Sequence, residues 1–159
     1  MHILLADDQE LVRDAIAGFI RNATGFLVDA VHDLPAALAA VDDNGQSHLV
    51  LLDYQMPGMS GLSGLCDMVS RQQGKPVAII SGNMPSAMVE QVFASGASGY
   101  LPKSMTTNAM IQALLLILAR EKYAPPDIIL KMQNTAPSAA LPMLSQRETV
   151  VLRQRSALA

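Results

Sequence analysis

Ile3-Leu4-Leu5-Ala6-Asp7-Asp8 decides the fold: a short apolar run that stops on two carboxylates. The same design recurs downstream. Leu49-Val50-Leu51-Leu52 runs into Asp53, Val77-Ala78-Ile79-Ile80 into Ser81, and Tyr100-Leu101-Pro102 into Lys103. Continuous apolar runs of this length mark strands buried on both faces of a parallel sheet. Parallel strands all finish at one edge, where open α/β sheets bind their ligands. Asp7, Asp8, Asp53, Ser81 and Lys103 are therefore expected to meet at a single rim.

The segments between these runs predict helices. After the first strand, residues 10–21 place Leu11, Val12, Ala15, Ile16 and Phe19 at helical spacing. Phe26-Leu27-Val28-Asp29-Ala30-Val31 reads as a second strand, and residues 34–41 as an Ala-rich helix with Asp33 as its N-cap and Asn44-Gly45 as its stop. Pro57-Gly58-Met59-Ser60-Gly61 is a breaker cluster, so a loop follows Asp53 before a helix over 62–71. Pro85 opens a helix ending near Ala94, and residues 106–120 form the most apolar helix, with Met110, Ile111, Leu114, Leu115, Ile117 and Leu118 on more than one face. Five β-α repeats joined by right-handed crossovers give an α/β, doubly wound parallel sheet.

Composition agrees with a closed core: of 159 residues 50% are apolar and 16% charged. No apolar run approaches the roughly 18 residues of a membrane span, and the opening residues lack the basic flank of a signal peptide. With one cysteine, Cys66, no internal disulfide framework exists, and a cytoplasmic protein with no membrane partner is expected. Residues 1–121 carry a net −6 and residues 122–159 a net +3. The acidic body and basic tail suggest two modules. Pro125, Pro126, Pro137 and Pro142 lead us to read 122–143 as a linker without a long helix. Residues 144–152 then start a new unit, with Ser145 and Glu148 placed as a capping box.

Three carboxylates at one edge repel one another, and a divalent cation is the usual way to keep them ionised. Oxygen donors with room for water favour Mg²⁺. Asp8 and Asp53 are expected as direct ligands, Asp7 through water, and the backbone carbonyl of Gln55 completes the protein side. Asp53 faces an open loop, where its carboxylate can attack phosphorus. Lys103 is the complementary cation for a phosphoryl oxygen, and Ser81 offers a hydroxyl. His2, His32 and His48 have no ligand spacing, and Cys66 reads as a small packed residue.

Leu5-Ala-Asp-Asp, Leu52-Asp-Tyr-Gln-Met-Pro-Gly-Met-Ser-Gly, Ile80-Ser-Gly and Gly99-Tyr-Leu-Pro-Lys, in this order, resemble the motifs of two-component response regulator receiver domains over residues 1–121. The resemblance implies a flavodoxin-like (βα)5 sheet of order 2-1-3-4-5. It implies further that Asp53 is the phosphoacceptor, Asp7 and Asp8 the acidic pair for Mg²⁺, Lys103 the phosphate-binding lysine, Ser81 the switch hydroxyl and Tyr100 the switch aromatic. Many receivers carry a proline just after that lysine; here Pro102 precedes it. Residues 144–152 are similar to the opening of the LuxR-type helix-turn-helix of NarL/FixJ regulators. Only its first helix falls within 144–159, so DNA is expected as a partner of a longer protein and not of this chain.

The implied function is a switch and not a turnover enzyme: a sensor histidine kinase donates the phosphoryl group, and the acyl phosphate hydrolyses slowly. A phosphorylation-dependent homodimer is expected through the apolar helix over 106–120 or the elements before it, unless residues after Tyr123 cover that helix. Two other readings use similar parts. Haloacid dehalogenase phosphatases place a second Asp two residues after the nucleophile, where this chain has Gln55, and an FMN phosphate is opposed by the acidic rim.

Overall fold

The computed structural model describes residues 1–135. Five strands, β1 (His2–Ala6), β2 (Leu27–Val31), β3 (Leu49–Asp53), β4 (Val77–Ser81) and β5 (Gly99–Pro102), form one sheet of order 2-1-3-4-5. Every pairing between neighbouring strands is parallel. The expected flavodoxin-like topology is therefore the observed one.

Because side chains alternate across a strand, each run is divided between two cores. Leu4, Val50, Leu52, Ile79 and Tyr100 pack on one face, under α2 (Leu34–Asn44), α3 (Leu62–Gln72) and α4 (Ser86–Ala94). Ile3, Leu5, Leu49, Leu51, Ile80 and Leu101 pack on the other, under α1 (Glu10–Thr24) and α5 (Thr107–Leu118). Burial on both faces explains why β1, β3 and β4 read as unbroken apolar runs. β2, at an edge, leaves Leu27 and Asp29 exposed, which is why its run is mixed.

Local chemistry sets the helix ends. Asp33 Oδ1 accepts the Ala36 amide at 2.8 Å and Thr106 Oγ1 that of Ala109 at 3.1 Å, so both side chains take up N-terminal donors that the helix leaves open. Pro85 occupies the N-cap of α4, one position ahead of the expected first turn. At the far end of the sheet, the buried amide of Gln72 donates to the carbonyls of Ser47 and Pro76 and accepts from the Ser47 amide, tying α3 to the entry of β3.

The structure departs from expectation after α5. Within the stretch read as linker, α6 (Pro126–Thr135) is helical, and it packs against α4 with Ile128 buried. Pro126 occupies the first helical position, where its missing N–H costs nothing and its fixed φ suits the helix. Proline was thus a start signal where we read a break. Pro137, Pro142 and the expected helix-turn-helix residues 144–159 lie outside the described residues.

Candidate functional site

At the carboxyl edge, alternation brings the chemistry together. Asp7 and Asp53 continue the phase of Leu5 and Leu51, and Lys103 that of Leu101, so all three lie on the α1/α5 side. Ser81 and Tyr100 are in phase with Ile79, on the opposite side.

Asp7 is fully buried and Asp53 nearly so, whereas Asp8 is exposed. One carboxylate oxygen from each lies within 4.8 Å of the others. The Lys103 ammonium sits among them, 2.9 Å from Asp7 Oδ2 and 3.2 Å from Asp53 Oδ2. Each buried aspartate turns its other oxygen to a main-chain donor two residues on. Gln9 N–H donates to Asp7 Oδ1 at 2.9 Å and Gln55 N–H to Asp53 Oδ1 at 3.1 Å. The Asp7 carbonyl accepts from Arg13 Nη1 at 3.0 Å, tying β1 to α1.

Burial pushes the Asp53 carboxyl above its ordinary range, against the Gln55 amide, and the charge of Asp7 pushes the same way while Lys103 opposes it. For Lys103 burial works against the ammonium, but the contact with Asp7 and the charges of Asp53 and Asp7 outweigh it and raise its pKa. The ammonium therefore stays charged throughout the neutral range.

The loop after Asp53 is held from below. Met56 and Met59 are buried in the α2–α4 core, and Tyr54 Oη approaches Met88 Sδ of α4 at 3.7 Å. Gly58 has φ +91°, and a Cβ there would lie 2.6 Å from Pro35 Cδ. Only glycine fits both demands, so the breaker cluster seats the loop against α2.

The donor set fits a small divalent cation. Three carboxylates face one ammonium, which leaves an excess of two negative charges at a partly open rim. Asp7 Oδ2 has the ammonium 2.9 Å away as an ion pair but no hydrogen-bond donor aligned with it, an open acceptor in a buried position. Hard oxygens of this kind suit Mg²⁺.

Comparisons with known proteins agree with this geometry. The model of the response regulator receiver domain matches residues 3–115. The chain belongs to the response regulator receiver family. It is similar to the glycerol metabolism activator of Pseudomonas putida, 37% identical over 84% of this chain and 61% of that one. It therefore spans less than two thirds of that relative's length. It is also similar to the probable transcriptional regulatory protein NarL of Mycobacterium tuberculosis, 29% identical over 97% of this chain and 73% of that one. Among solved structures, a LuxR-family two-component response regulator from Aurantimonas sp. SI85-9A1 superposes with a TM-score of 0.78 at 26% identity, covering 86% of this chain and 98% of that one. Receivers of this family work in phosphorylation-based two-component signalling.

Of the residues singled out in the sequence, Asp7, Asp8, Asp53 and Lys103 come together in the receiver. Ser81 lies beside them through its carbonyl, which accepts the Lys103 amide at 2.7 Å. Tyr100 is apart, buried on the other face with Ala124 and Ile128, and its phenol pKa is raised by burial and by Asp127 of α6. The sequence reading missed Gln9, whose Oε1 accepts from Lys103 Nζ at 3.0 Å. A neutral amide next to the acidic pair carries no pattern that would have announced it.

Proposed function

We propose that Asp53 accepts a phosphoryl group from the phosphohistidine of a sensor histidine kinase and that the receiver answers by changing its α4–β5 surface. The observation that supports this best is the Asp53 carboxylate at the end of β3, with the Lys103 ammonium at 3.2 Å and two further carboxylates beside it. A carboxylate oxygen of Asp53 forms the new O–P bond as the P–N bond to the donor imidazole breaks, and the imidazole leaves as the neutral ring after taking a proton. Lys103 balances charge gathering on the phosphoryl oxygens, and the main-chain amide of Gln55 holds Asp53 in place.

Asp8 and Asp53 would hold Mg²⁺ directly, with Asp7 through water and the Gln55 carbonyl as a further donor. Bound there, the cation supplies charge neutralisation between two anions that must approach each other. Ser81 would donate its hydroxyl to a phosphoryl oxygen, and Tyr100 would respond by a change of rotamer. The reaction ends in a modified aspartate that hydrolyses slowly, so the chain is a switch and not an enzyme acting on external substrates.

In the whole protein, we place the receiver at 1–121, a connection over 122–143 and the start of a LuxR-type DNA-binding unit at 144–159. We read the whole protein as a cytoplasmic regulator of transcription, a reading supported by its similarity to transcriptional regulatory proteins and by the basic tail. Phosphorylation-dependent homodimerisation would align two such units on paired half-sites.

Treatment with Mg²⁺ and a small phosphodonor, followed by intact mass, tests the chemistry. One added phosphoryl group is expected on the wild-type chain and none on Asp53→Asn. Equal labelling of the variant would move the site elsewhere.

A further inference from the structure

Gln9 stands at the N-cap of α1, yet its side chain caps nothing. Its amide oxygen is instead turned across the rim to Lys103 Nζ, 3.0 Å away and 94 residues along the chain. The backbone of Gln9 does the local work: its N–H is taken by Asp7 Oδ1 and its carbonyl accepts the Arg13 amide at 2.8 Å. The side chain is exposed and packs in neither core. Among the described residues, its side chain is hydrogen-bonded to the lysine.

An ammonium has three N–H donors and no acceptor. At Lys103 two of them are given to Asp53 Oδ2 and Gln9 Oε1, while Asp7 Oδ2 stands 2.9 Å away as an ion-pair partner with no donor aligned on it. Two of these partners are anions; Gln9 is the neutral one. A phosphoryl group on Asp53 adds about −1.5 to −2 charge at neutral pH, together with strong acceptor oxygens. As Nζ turns toward them it draws away from its present hydrogen-bond acceptors, and of Asp53 and Gln9 the neutral amide is the weaker competitor.

Resting on the phosphoacceptor reading above, we propose that Gln9 is a positioning residue that latches Lys103 in its resting place, and that the latch opens when the phosphoryl group arrives. A contact made in one state biases the equilibrium toward that state. Gln9 therefore lowers the apparent affinity of the site for a phosphoryl group while leaving the metal ligands untouched.

The test uses the full chain and beryllofluoride, a phosphoryl mimic, titrated in saturating Mg²⁺. Gln9→Met keeps side-chain length and removes the acceptor. It should tighten beryllofluoride about 3- to 10-fold, the range expected for losing one exposed hydrogen bond to a charged donor. Affinity for Mg²⁺ alone should stay within about twofold. Exchange of the Lys103 ammonium protons, followed by NMR, should quicken in the unliganded variant. In a Lys103→Ala background, Gln9→Met should leave beryllofluoride affinity unchanged, because the latch has lost its bolt; this double-mutant cycle separates a latch from a general effect on the rim. If wild-type chain binds beryllofluoride while Gln9→Met binds it equally or more weakly, or if the gain persists without Lys103, the latch is wrong and the phosphoacceptor site stands. If wild-type chain fails to bind beryllofluoride in Mg²⁺, both readings fall together.

Discussion

The main chain of Tyr123 is hydrogen-bonded to that of Tyr100. Tyr100 N–H donates to the Tyr123 carbonyl and Tyr123 N–H to the Ser98 carbonyl, each at 3.0 Å, in a parallel bridge that closes the open edge of β5. Ala124 and Ile128 then enter the same core as the Tyr100 ring. The segment leading out of the receiver is thus seated on the strand that carries the proposed switch aromatic, and a move of Tyr100 has a direct mechanical path to α6.

Removing residues 122–159 should destabilise the receiver. It opens two backbone hydrogen bonds, each worth about 0.5–1.5 kcal/mol. It also uncovers the Tyr100 edge. Ile128→Ala alone should cost about 2 kcal/mol, near the low end for buried aliphatic truncations because α6 is free to settle. Urea denaturation measures both, and a midpoint unchanged by the truncation would mean that α6 does not dock in solution.

What was legible in the sequence followed from alternation and burial. β1, β3 and β4 are covered on both faces, so their runs are unbroken, and the polar residue at each end necessarily lands on the rim. The phase of Leu5, Leu51 and Leu101 even sets Asp7, Asp53 and Lys103 on one side. What was not legible depends on tertiary contact. The cover over β5 comes from Ala124 and Ile128, two apolar residues among prolines, with too few repeats to register a period. Gln9 acts through a single amide oxygen and carries no pattern at all.

The two members of the acidic pair should separate in their effects. Asp8 is exposed, so Asp8→Ala should weaken Mg²⁺ binding while leaving metal-free stability within about 0.5 kcal/mol of wild type. Asp7 is buried, pairs with Lys103 and holds the Gln9 amide, so Asp7→Ala should cost about 1–3 kcal/mol without metal. In the wild-type chain, Mg²⁺ at one hundred times its dissociation constant should add about 2.7 kcal/mol of stability. Thermal melts with and without the cation read all three, and equal losses of stability in the two variants would contradict the assignment.

Lys122 predicts a pH dependence of known sign. Burial lowers its pKa below the ordinary 10.5, so between the lowered value and 10.5 the unfolded chain holds more protons than the folded one. Stability then rises with pH across that window. Tyr100 and Tyr123 act the other way, since burial raises both above 10.0 and the folded form keeps its protons longer as pH climbs past that value. Lys122→Met should therefore be more stable than wild type at pH 7, with the advantage shrinking toward pH 10. A constant difference across that range would show that the amine is solvated.

The outer face of α5 sets the last expectation. Met110, Ala113, Leu114 and Ile117 fill the core, while Leu115 and Leu116 remain 41% and 38% exposed. Among the described residues, α6 packs against α4 and leaves these two leucines exposed. Two adjacent part-exposed leucines on a surface helix offer a small apolar contact that a second copy of the receiver could cover. If phosphorylation drives dimerisation through α5, beryllofluoride in Mg²⁺ should raise the dimer fraction in sedimentation. Leu115→Glu and Leu116→Glu should hold the activated receiver monomeric without altering phosphoryl uptake at Asp53. Leu118 is a poorer probe, since it is partly buried against the core and a charge there would damage folding as well as assembly. A mass that stays monomeric in every wild-type sample removes the dimer from the mechanism; a dimer that survives both leucine variants moves its interface to another face of the receiver.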